Sequence, residues 1–419
     1  MKYSIIFLAL LSFGLADKIK YDNFQVFDIY VKNLNEVKLL QSITDVDEER
    51  AFLQMGDTPM IGKSYPIAVS PKNVEFFVKE LKANKIAYRV VEKNLQKVIE
   101  ADEIVNKRSH RRSNGEHDWT SYQTLDEVNA WLDKMVKEHK VLTPLVGGET
   151  YEKRQIRGVK LSHKEGNPGI FIEGGIHARE WITVATTTFM LNELLTSQNE
   201  TIKDLAQNYD WYFFPSVNPD GYVYTHAKDR LWRKTRKPYG KCVGADPNRN
   251  WDFHWNEVGT SDKPCSDIFA GPEAFSEVET KSLSNFVKGL DDIKVYLAFH
   301  SYSQLILFPY GYTDEHAPNH DDLQQVGDAA KDALARRYGT KYTVGNIYDA
   351  IYPAAGASME WAYGALDVKL AYTYELRPAG NELFGFVLPP EQIIPTSLET
   401  LDSVVALVHE GEKLGYFKQ

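Results

Sequence analysis

The run GIFIEGG, residues 169–175, is the clearest buried-strand pattern in this 419-residue chain. Its apolar residues are nearly continuous, which is typical of a strand buried on both faces of a parallel sheet, and its Gly-Gly pair marks a turn out of that strand. KVYLAFH (294–300) and KLAYTYELR (369–377) have the same character, and helical patterns such as VATTTFMLNELLT (184–196) separate the runs. Strands alternating with helices predict an α/β sandwich with a mixed, mostly parallel sheet flanked by helices over residues 113–419.

Residues that can bind a metal lie where these strands end. His177 and Glu180 follow the Gly-Gly turn, His300 ends the second run, and Glu375 lies within the third. Two imidazoles and a carboxylate can hold catalytic zinc with one position open for water, and a second carboxylate can serve as base. We therefore predict a hydrolytic Zn²⁺ site.

The spacing His-x-x-Glu is weak evidence by itself, because two other pairs share it. His409 and Glu412 lie in an amphipathic pattern that predicts a solvent-facing final helix, and His254 and Glu257 lie in a polar, loop-like stretch. Neither of these pairs follows a buried strand, so we expect neither to bind metal.

The first sixteen residues predict a secretory signal peptide. Lys2 precedes an apolar stretch (5–11), and Gly14 and Ala16 supply the small residues of a cleavage site. The stretch is too short to span a bilayer. We expect a secreted, extracellular protein without a membrane span.

Secretion affects how the cysteines are interpreted. Cys242 and Cys265 are the only two, and an even pair in an oxidising compartment favours a disulfide, with two free buried thiols as the alternative. Asn199 begins an Asn-Glu-Thr glycosylation acceptor. The net charge of −10 argues against nucleic acid and anionic membranes as partners.

A smaller domain is predicted over residues 17–112, and it contains no plausible catalytic group. Strand patterns occur at 24–31, 65–70 and 87–92, with helical patterns near 35–42 and 72–84. A further helix-like segment runs into the basic cluster 107–112, where a trypsin-like protease would cut. A solvated charge run is the alternative, but the position between two foldable segments favours an activation peptide.

Six segments resemble the pancreatic-type zinc metallocarboxypeptidases, the carboxypeptidase A/B group. They are IHAREW (176–181), RLWRKTR (230–236), DPNRNWD (246–252), FHSYSQLILFPYGY (299–312), IYPAAGASMEWAY (351–363) and YTYELR (372–377). The resemblance covers the whole chain and implies a signal peptide, a small α+β open-sandwich prodomain that inhibits its own enzyme, and a catalytic domain. It implies cleavage at the C-termini of peptides and proteins after activation.

The resemblance implies a role for each residue of the site. It makes His177, Glu180 and His300 the zinc ligands, Glu375 the general base, and Arg233 the group that stabilises the developing oxyanion. From the residues alone, Arg233 could be a surface arginine. Likewise, Glu375 could form a salt bridge with the residue two positions on, at 377, which alternation places on the same strand face.

The resemblance also implies the substrate contacts. Arg249 and Asn248 would bind the terminal carboxylate, Tyr352 would close over it, and Arg179 and Tyr302 would make accessory contacts. A guanidinium suits a carboxylate because two parallel donors match two oxygens.

Preference for the last side chain is expected to depend on Met359 at the pocket floor. The expected walls are Ile347, Ile351, Leu307, Ala354, Ala357, Gly311 and Thr373. An apolar floor disfavours Lys and Arg, because burying an unpaired ammonium is costly, so aromatic and large aliphatic ends are expected. Glu360, next to the floor position, leaves a B-type preference for basic ends as an alternative. A non-catalytic peptide-binding relative is a second alternative, which Glu375→Gln kinetics would distinguish.

Overall fold

A computed structural model describes residues 18–46, 48–55, 61–62, 64–114, 116–379 and 385–418. The predicted signal peptide, residues 1–16, lies outside them. Within the described ranges, no helix combines the length and apolar character needed to cross a membrane.

The N-terminal domain is a four-stranded antiparallel sheet in the order β2-β3-β1-β4. Its elements are β1 (Gln25–Tyr30), α1 (Leu34–Thr44), β2 (Phe52–Gln54), β3 (Ser64–Val69), α2 (Val74–Ala83), β4 (Ala87–Glu92) and α3 (Leu95–Arg112). The three predicted strands and the predicted helices are present, and the three-residue strand β2 was not predicted.

Alternation along β1 gives this sheet two buried faces. Phe27 and Ile29 pack with Phe77 of α2 in one apolar cluster. Val26, the residue before Phe27, belongs to a second cluster that includes Leu231 and other residues of the C-terminal domain. Because successive side chains point to opposite faces, the helices cover one side of the sheet and the C-terminal domain covers the other.

The C-terminal domain contains an eight-stranded mixed sheet in the order β13-β12-β14-β11-β7-β8-β6-β5. The strands are β5 (Leu142–Glu149), β6 (Gln155–Leu161), β7 (Gly169–Glu173), β8 (Asp210–Phe214), β11 (Ile293–Ser303), β12 (Leu305–Phe308), β13 (Thr343–Asn346) and β14 (Leu370–Ala379), and β9 (Pro238–Tyr239) pairs separately with β10 (Cys242–Val243). The four central strands, β14, β11, β7 and β8, run parallel, and antiparallel pairs lie outside them. The predicted mixed, mostly parallel α/β architecture is confirmed.

Helices flank this sheet. They are α4 (Leu125–Glu138), α5 (Trp181–Thr196), α6 (Glu200–Asn208), α7 (Pro219–Ala227), α8 (Val278–Lys288), α9 (His320–Tyr338), α10 (Ile347–Ala350), α11 (Ser358–Leu366) and α12 (Ile393–Leu414), with short 3₁₀ turns at Pro247–Arg249 and Pro390–Gln392. α4 begins in a capping box between Thr124 and Glu127, which satisfies the amide groups at its first turn. One large apolar core joins the helices to both faces of the sheet. The central strands are therefore rigidly held, and the site lies at their carboxyl ends.

Candidate active site

Three side chains predicted as metal ligands converge. Glu180 Oε1 lies 2.7 Å from His177 Nδ1, and His300 Nδ1 lies 3.2 Å from His177 Nδ1 and 3.5 Å from Glu180 Oε2. All three residues are buried, and they are the one set of three potential ligands that the described part of the chain brings together. Two imidazole nitrogens facing each other and a carboxylate, away from solvent, are a donor set that fits a zinc ion.

The turn after β7 places the first two of these groups. Gly175 has a φ of +64°, a conformation that favours glycine, and a Cβ at Gly174 would lie 2.7 Å from Thr187 Oγ1. The chain therefore leaves the strand sharply, and α5 begins directly after Glu180. His300 lies on β11, which pairs with β7 in parallel.

Asp246 holds the far side of His177, and the sequence did not single it out. Its Oδ1 lies 3.1 Å from His177 Nε2, and its Oδ2 accepts a hydrogen bond of 3.0 Å from Arg233 Nη2. Although burial alone would raise it, the Arg233 guanidinium and His177 hold the pKa of Asp246 well below its usual range. A carboxylate in this place fixes the orientation of the imidazole ring. A histidine that binds a metal through one ring nitrogen usually donates a hydrogen bond from the other. This general requirement was the one indication that an acceptor such as Asp246 would be present.

The register between β11 and β14 places Glu375 beside the metal-ligand cluster. β11 and β14 run parallel with His300 opposite Glu375, and Glu375 is 4 % exposed. Arg377 binds Glu399, with 2.7 Å between Nε and Oε1, so the expected alternative of a Glu375–Arg377 pair is wrong. Arg233 is 3 % exposed, which also excludes the surface-arginine alternative.

The predicted carboxylate-binding residues lie on a 3₁₀ turn and the loop facing it. Arg249 Nη2 donates to the Tyr352 hydroxyl at 2.8 Å, and Arg249 Nε donates to the Gly259 carbonyl at 3.0 Å. Asn248, the residue before, has its Nδ2 3.5 Å from His300 Nε2. A guanidinium, an amide and a phenol thus lie together next to the metal-ligand cluster.

Three of the predicted pocket-wall residues, Gly311, Ile347 and Ala354, lie together. Met359 is fully buried on α11, and a Cβ at Gly311 would lie 2.7 Å from both Ile347 Cγ2 and the Ala354 carbonyl. Glu360 accepts a hydrogen bond of 2.6 Å from the Gly311 amide. Burial raises the pKa of Glu360 to about 7, although backbone hydrogen bonds oppose the shift. The carboxyl beside the floor position is therefore bound to backbone.

The N-terminal domain lies against the same region. Arg179 Nη2 donates to the Gln54 carbonyl of β2 at 2.8 Å. Tyr302 packs in one apolar cluster with Leu53 and Met55. Two of the predicted substrate-contacting residues, Arg179 and Tyr302, are thus covered by the N-terminal domain.

Asp229 anchors this domain by charge. Its Oδ1 accepts a hydrogen bond of 2.5 Å from the Tyr21 hydroxyl, and its Oδ2 accepts one of 2.9 Å from Arg50 Nε. Asp229 is 1 % exposed, so these partners replace the water that a carboxylate requires. Nothing in the local sequence pattern predicted this anchor.

The remaining predictions concern residues away from the cluster. His254 Nδ1 lies 2.9 Å from Glu257 Oε2 on an exposed loop, and the Glu412 carboxylate of α12 binds Tyr209. Neither pair forms a candidate metal site within the described residues. The structure joins Cys242 and Cys265 by a disulfide, as the cysteine count favoured.

Comparison with known proteins agrees with this geometry. A family described as zinc carboxypeptidase matches residues 128–403, and one described as carboxypeptidase activation peptide matches residues 27–102. The chain is 48 % identical over 412 residues to zinc carboxypeptidase A 1 of Anopheles gambiae, covering 98 % of this chain and 94 % of that protein. It is 63 % identical over 300 residues to a zinc carboxypeptidase of Simulium vittatum, covering 71 % of this chain and 98 % of that protein.

A solved structure extends the likeness to three dimensions. The carboxypeptidase A of Helicoverpa armigera superposes with a TM-score of 0.87 at 28 % identity, covering 94 % of this chain and 99 % of that chain. With both the catalytic family and its activation peptide matched, the substrates are peptides and the N-terminal domain is an intramolecular inhibitor. The chain belongs to the zinc carboxypeptidase family and is a zymogen of a zinc-dependent exopeptidase.

Proposed function

We propose that this chain is a secreted A-type zymogen whose catalytic part, residues 113–419, releases aromatic or large aliphatic residues from the C-termini of peptides and proteins. The observation that carries the proposal is the buried convergence of His177, Glu180 and His300, with Glu375 opposite His300 on the adjacent strand. Three ligands and a neighbouring carboxylate are what hydrolysis at a metal requires.

His177 and His300 through Nδ1, and Glu180 through its carboxylate, would hold zinc. When bound, zinc supplies the Lewis acidity that polarises the scissile carbonyl and makes a water nucleophilic at neutral pH. Asp246 keeps the His177 ring oriented with Nδ1 towards the ion. Glu375 would take the proton of the attacking water and return it to the leaving amine.

Cationic and polar groups would position the substrate. Arg233, fixed by its hydrogen bonds to Asp246, would place a guanidinium against the oxygen that becomes negative in the transition state. Arg249 and Asn248 would bind the terminal carboxylate, and Tyr352, whose hydroxyl lies 2.8 Å from Arg249 Nη2, would close over it. This carboxylate recognition would make the enzyme an exopeptidase.

The residues around Met359 support the A-type preference over the B-type alternative. The expected wall residues Ile347 and Ala354 are apolar and lie close to Gly311. Glu360 is bound to a backbone amide and its pKa is raised to about 7, so it would not present a full charge to a basic side chain. An ammonium in this pocket would remain unpaired.

Activation would follow a trypsin-like cut in the cluster 107–112. Lys107, Arg108, Arg111 and Arg112 are exposed at the end of α3. Proteases bind extended substrates, so the last turn of α3 would open before cleavage. The prodomain, residues 17–112, would then leave Arg179 and Tyr302 accessible.

The test uses matched peptides ending in Phe, Leu, Lys and Glu, before and after limited trypsin treatment. We expect the cut protein to hydrolyse the Phe and Leu peptides, a chelator to abolish this activity, and the uncut protein to be much slower. Faster release of Lys than of Phe would refute the A-type assignment, and equal activity of cut and uncut protein would refute prodomain inhibition.

The Glu375→Gln variant separates an enzyme from a peptide-binding relative. Loss of the base should reduce kcat by about 10²–10⁴-fold. Zinc content and binding of a C-terminal Phe peptide should be retained. A variant with unchanged turnover would eliminate Glu375 as the base.

A further inference from the structure

A buried carboxyl next to the site has no part in the proposed mechanism. Glu173 is the last residue of β7 and is 1 % exposed. Its Oε1 accepts a short hydrogen bond from the Ser358 hydroxyl. Burial raises the pKa of Glu173 to about 7, although the hydrogen bond from Ser358 opposes the shift. The other residues of β7 are apolar, and an apolar residue at position 173 would avoid the cost of burying a carboxyl. A role for the Glu173 carboxyl is therefore expected.

Ser358 connects Glu173 to the carboxylate-binding residues. While the Ser358 hydroxyl donates to Glu173, the Ser358 amide donates to Asn248 Oδ1 at 3.1 Å. Ser358 is the first residue of α11, and Met359 follows it. One serine therefore joins the end of β7, the turn that carries Asn248, and the helix that carries the expected pocket floor.

We propose that Glu173 is a positioning residue for substrate binding: through Ser358 it holds Asn248 and the first turn of α11 where the C-terminal residue of the substrate binds. The inference rests on the proposed function, because it takes Asn248 as a carboxylate-binding group. A hydrogen bond away from water is electrostatically stronger than one at the surface, and Glu173, Ser358 and Asn248 are all buried. Glu173 itself touches no reacting group in this arrangement.

The experiment measures kcat and KM of the trypsin-activated protein on a peptide ending in Phe. Glu173→Ala removes the acceptor, Ser358→Ala removes the donor, and Glu173→Gln keeps an acceptor oxygen in the same place. Glu279→Ala is the matched control. Glu279 is 1 % exposed, its pKa is raised by burial to about 7, and it accepts a hydrogen bond of 3.0 Å from the Tyr151 amide on another part of the fold.

We expect Glu173→Ala and Ser358→Ala each to raise KM by about five- to tenfold, the effect of one lost hydrogen bond, with kcat changed less than about twofold. The double variant should be no worse than either single variant, and Glu173→Gln should restore KM. Inhibition by benzylsuccinate, which carries carboxylates, should weaken in parallel, while inhibition by phenanthroline, which needs only the metal, should not. Glu279→Ala should leave KM unchanged whatever it does to thermal stability.

Two results separate the inference from the proposed function. If Asn248→Ala raises KM and neither Glu173→Ala nor Ser358→Ala does, Glu173 has no positioning role and the inference fails alone. If Asn248→Ala itself leaves KM and benzylsuccinate binding unchanged, the carboxylate-binding role of Asn248 fails. Should Glu173→Ala not fold, Ser358→Ala and Glu173→Gln decide in its place: the first should raise KM and the second should not.

Discussion

Replacing Asp102 by asparagine should stabilise the uncut chain, and more at pH 8 than at pH 4.5. Asp102 lies on α3 and is 8 % exposed, and within the described residues neither of its carboxylate oxygens has a hydrogen-bond partner. Burial raises its pKa to about 6; Arg230 of the catalytic part opposes the shift, and Glu103 and Glu391 add to it. α3 therefore packs against the catalytic part with a buried carboxyl group, and burial disfavours the charged form of that group.

The direction in which the stabilising effect of Asp102→Asn changes with pH follows from proton linkage. The folded pKa of about 6 exceeds the ordinary value of 3.8, so the folded state binds this proton more tightly and loses stability as the pH rises towards 6. The difference between the two pKa values corresponds to about 3 kcal/mol at pH 8, above both of them, and to about 1 kcal/mol at pH 4.5, which lies less than one unit above the unfolded pKa. Asparagine has the shape of the neutral acid and removes this penalty at both pH values.

The assay is urea unfolding of the uncut wild-type chain and Asp102→Asn at the two pH values, followed by tryptophan fluorescence. The gain in the free energy of unfolding should be about three times larger at pH 8 than at pH 4.5. Glu103→Gln is the neighbouring control with the opposite sign: although burial raises it, hydrogen bonds from Lys18 and Lys107 lower the Glu103 pKa, so this variant should lose stability at pH 8. A destabilised Asp102→Asn chain at pH 8, or an equal gain at both pH values, would show that the buried Asp102 carboxylate does not destabilise the folded chain.

Three further outcomes are expected. Arg50→Ala leaves Asp229 with one prodomain partner fewer, so the rate of hydrolysis by the uncut chain should rise by about tenfold or more. The isolated catalytic part lacks residue 50, so its activity is the common reference for both uncut chains. Unchanged activity of the uncut variant would contradict the anchoring role of Asp229. Asp246→Asn should lower zinc affinity by about 10–100-fold, measured as zinc retained during dialysis against graded chelator, and full retention would contradict its orienting role. Replacing both Cys242 and Cys265 by serine should cost about 3 kcal/mol of unfolding free energy, and a reductant should produce the same loss in the wild type but none in the variant.

The central sheet could be predicted from sequence because its strands are buried on both faces. β7 and β11 read as continuous apolar runs, a signal independent of their partners. β2 has three residues and β12 four, too few to show a period. β5 lies at the sheet edge, includes a proline and a Gly-Gly pair, and has only two fully buried residues, so its sequence lacks the alternation of a half-buried strand.

The residues of the candidate site likewise fall into two groups, those that the sequence could predict and those that it could not. His177 and Glu180 follow one predictable strand and His300 lies near the end of another, which continues to Ser303, and parallel strand ends meet at one edge of a sheet. Asp246 lies in a loop, and its tie to His177 spans 69 residues. Asp229 receives Arg50 from a separate domain, 179 residues away in the chain. Such pairings depend on the docking of folded parts, which no local period encodes.

The segment carrying Asp229 links prodomain docking to the active site. Arg230, the next residue, donates to the Arg179 carbonyl at 2.9 Å, while the Arg179 guanidinium holds the Gln54 carbonyl of the prodomain. Asp229 and Arg179 are both buried while the prodomain is bound, and a buried charge that loses a partner is costly unless another replaces it. A cut near residue 112 removes only the covalent connection, so these polar contacts persist until water or substrate takes over their roles. Cleavage and release of the prodomain should therefore be two separate steps, because the charges beside the metal-ligand cluster must be solvated before the cleft opens.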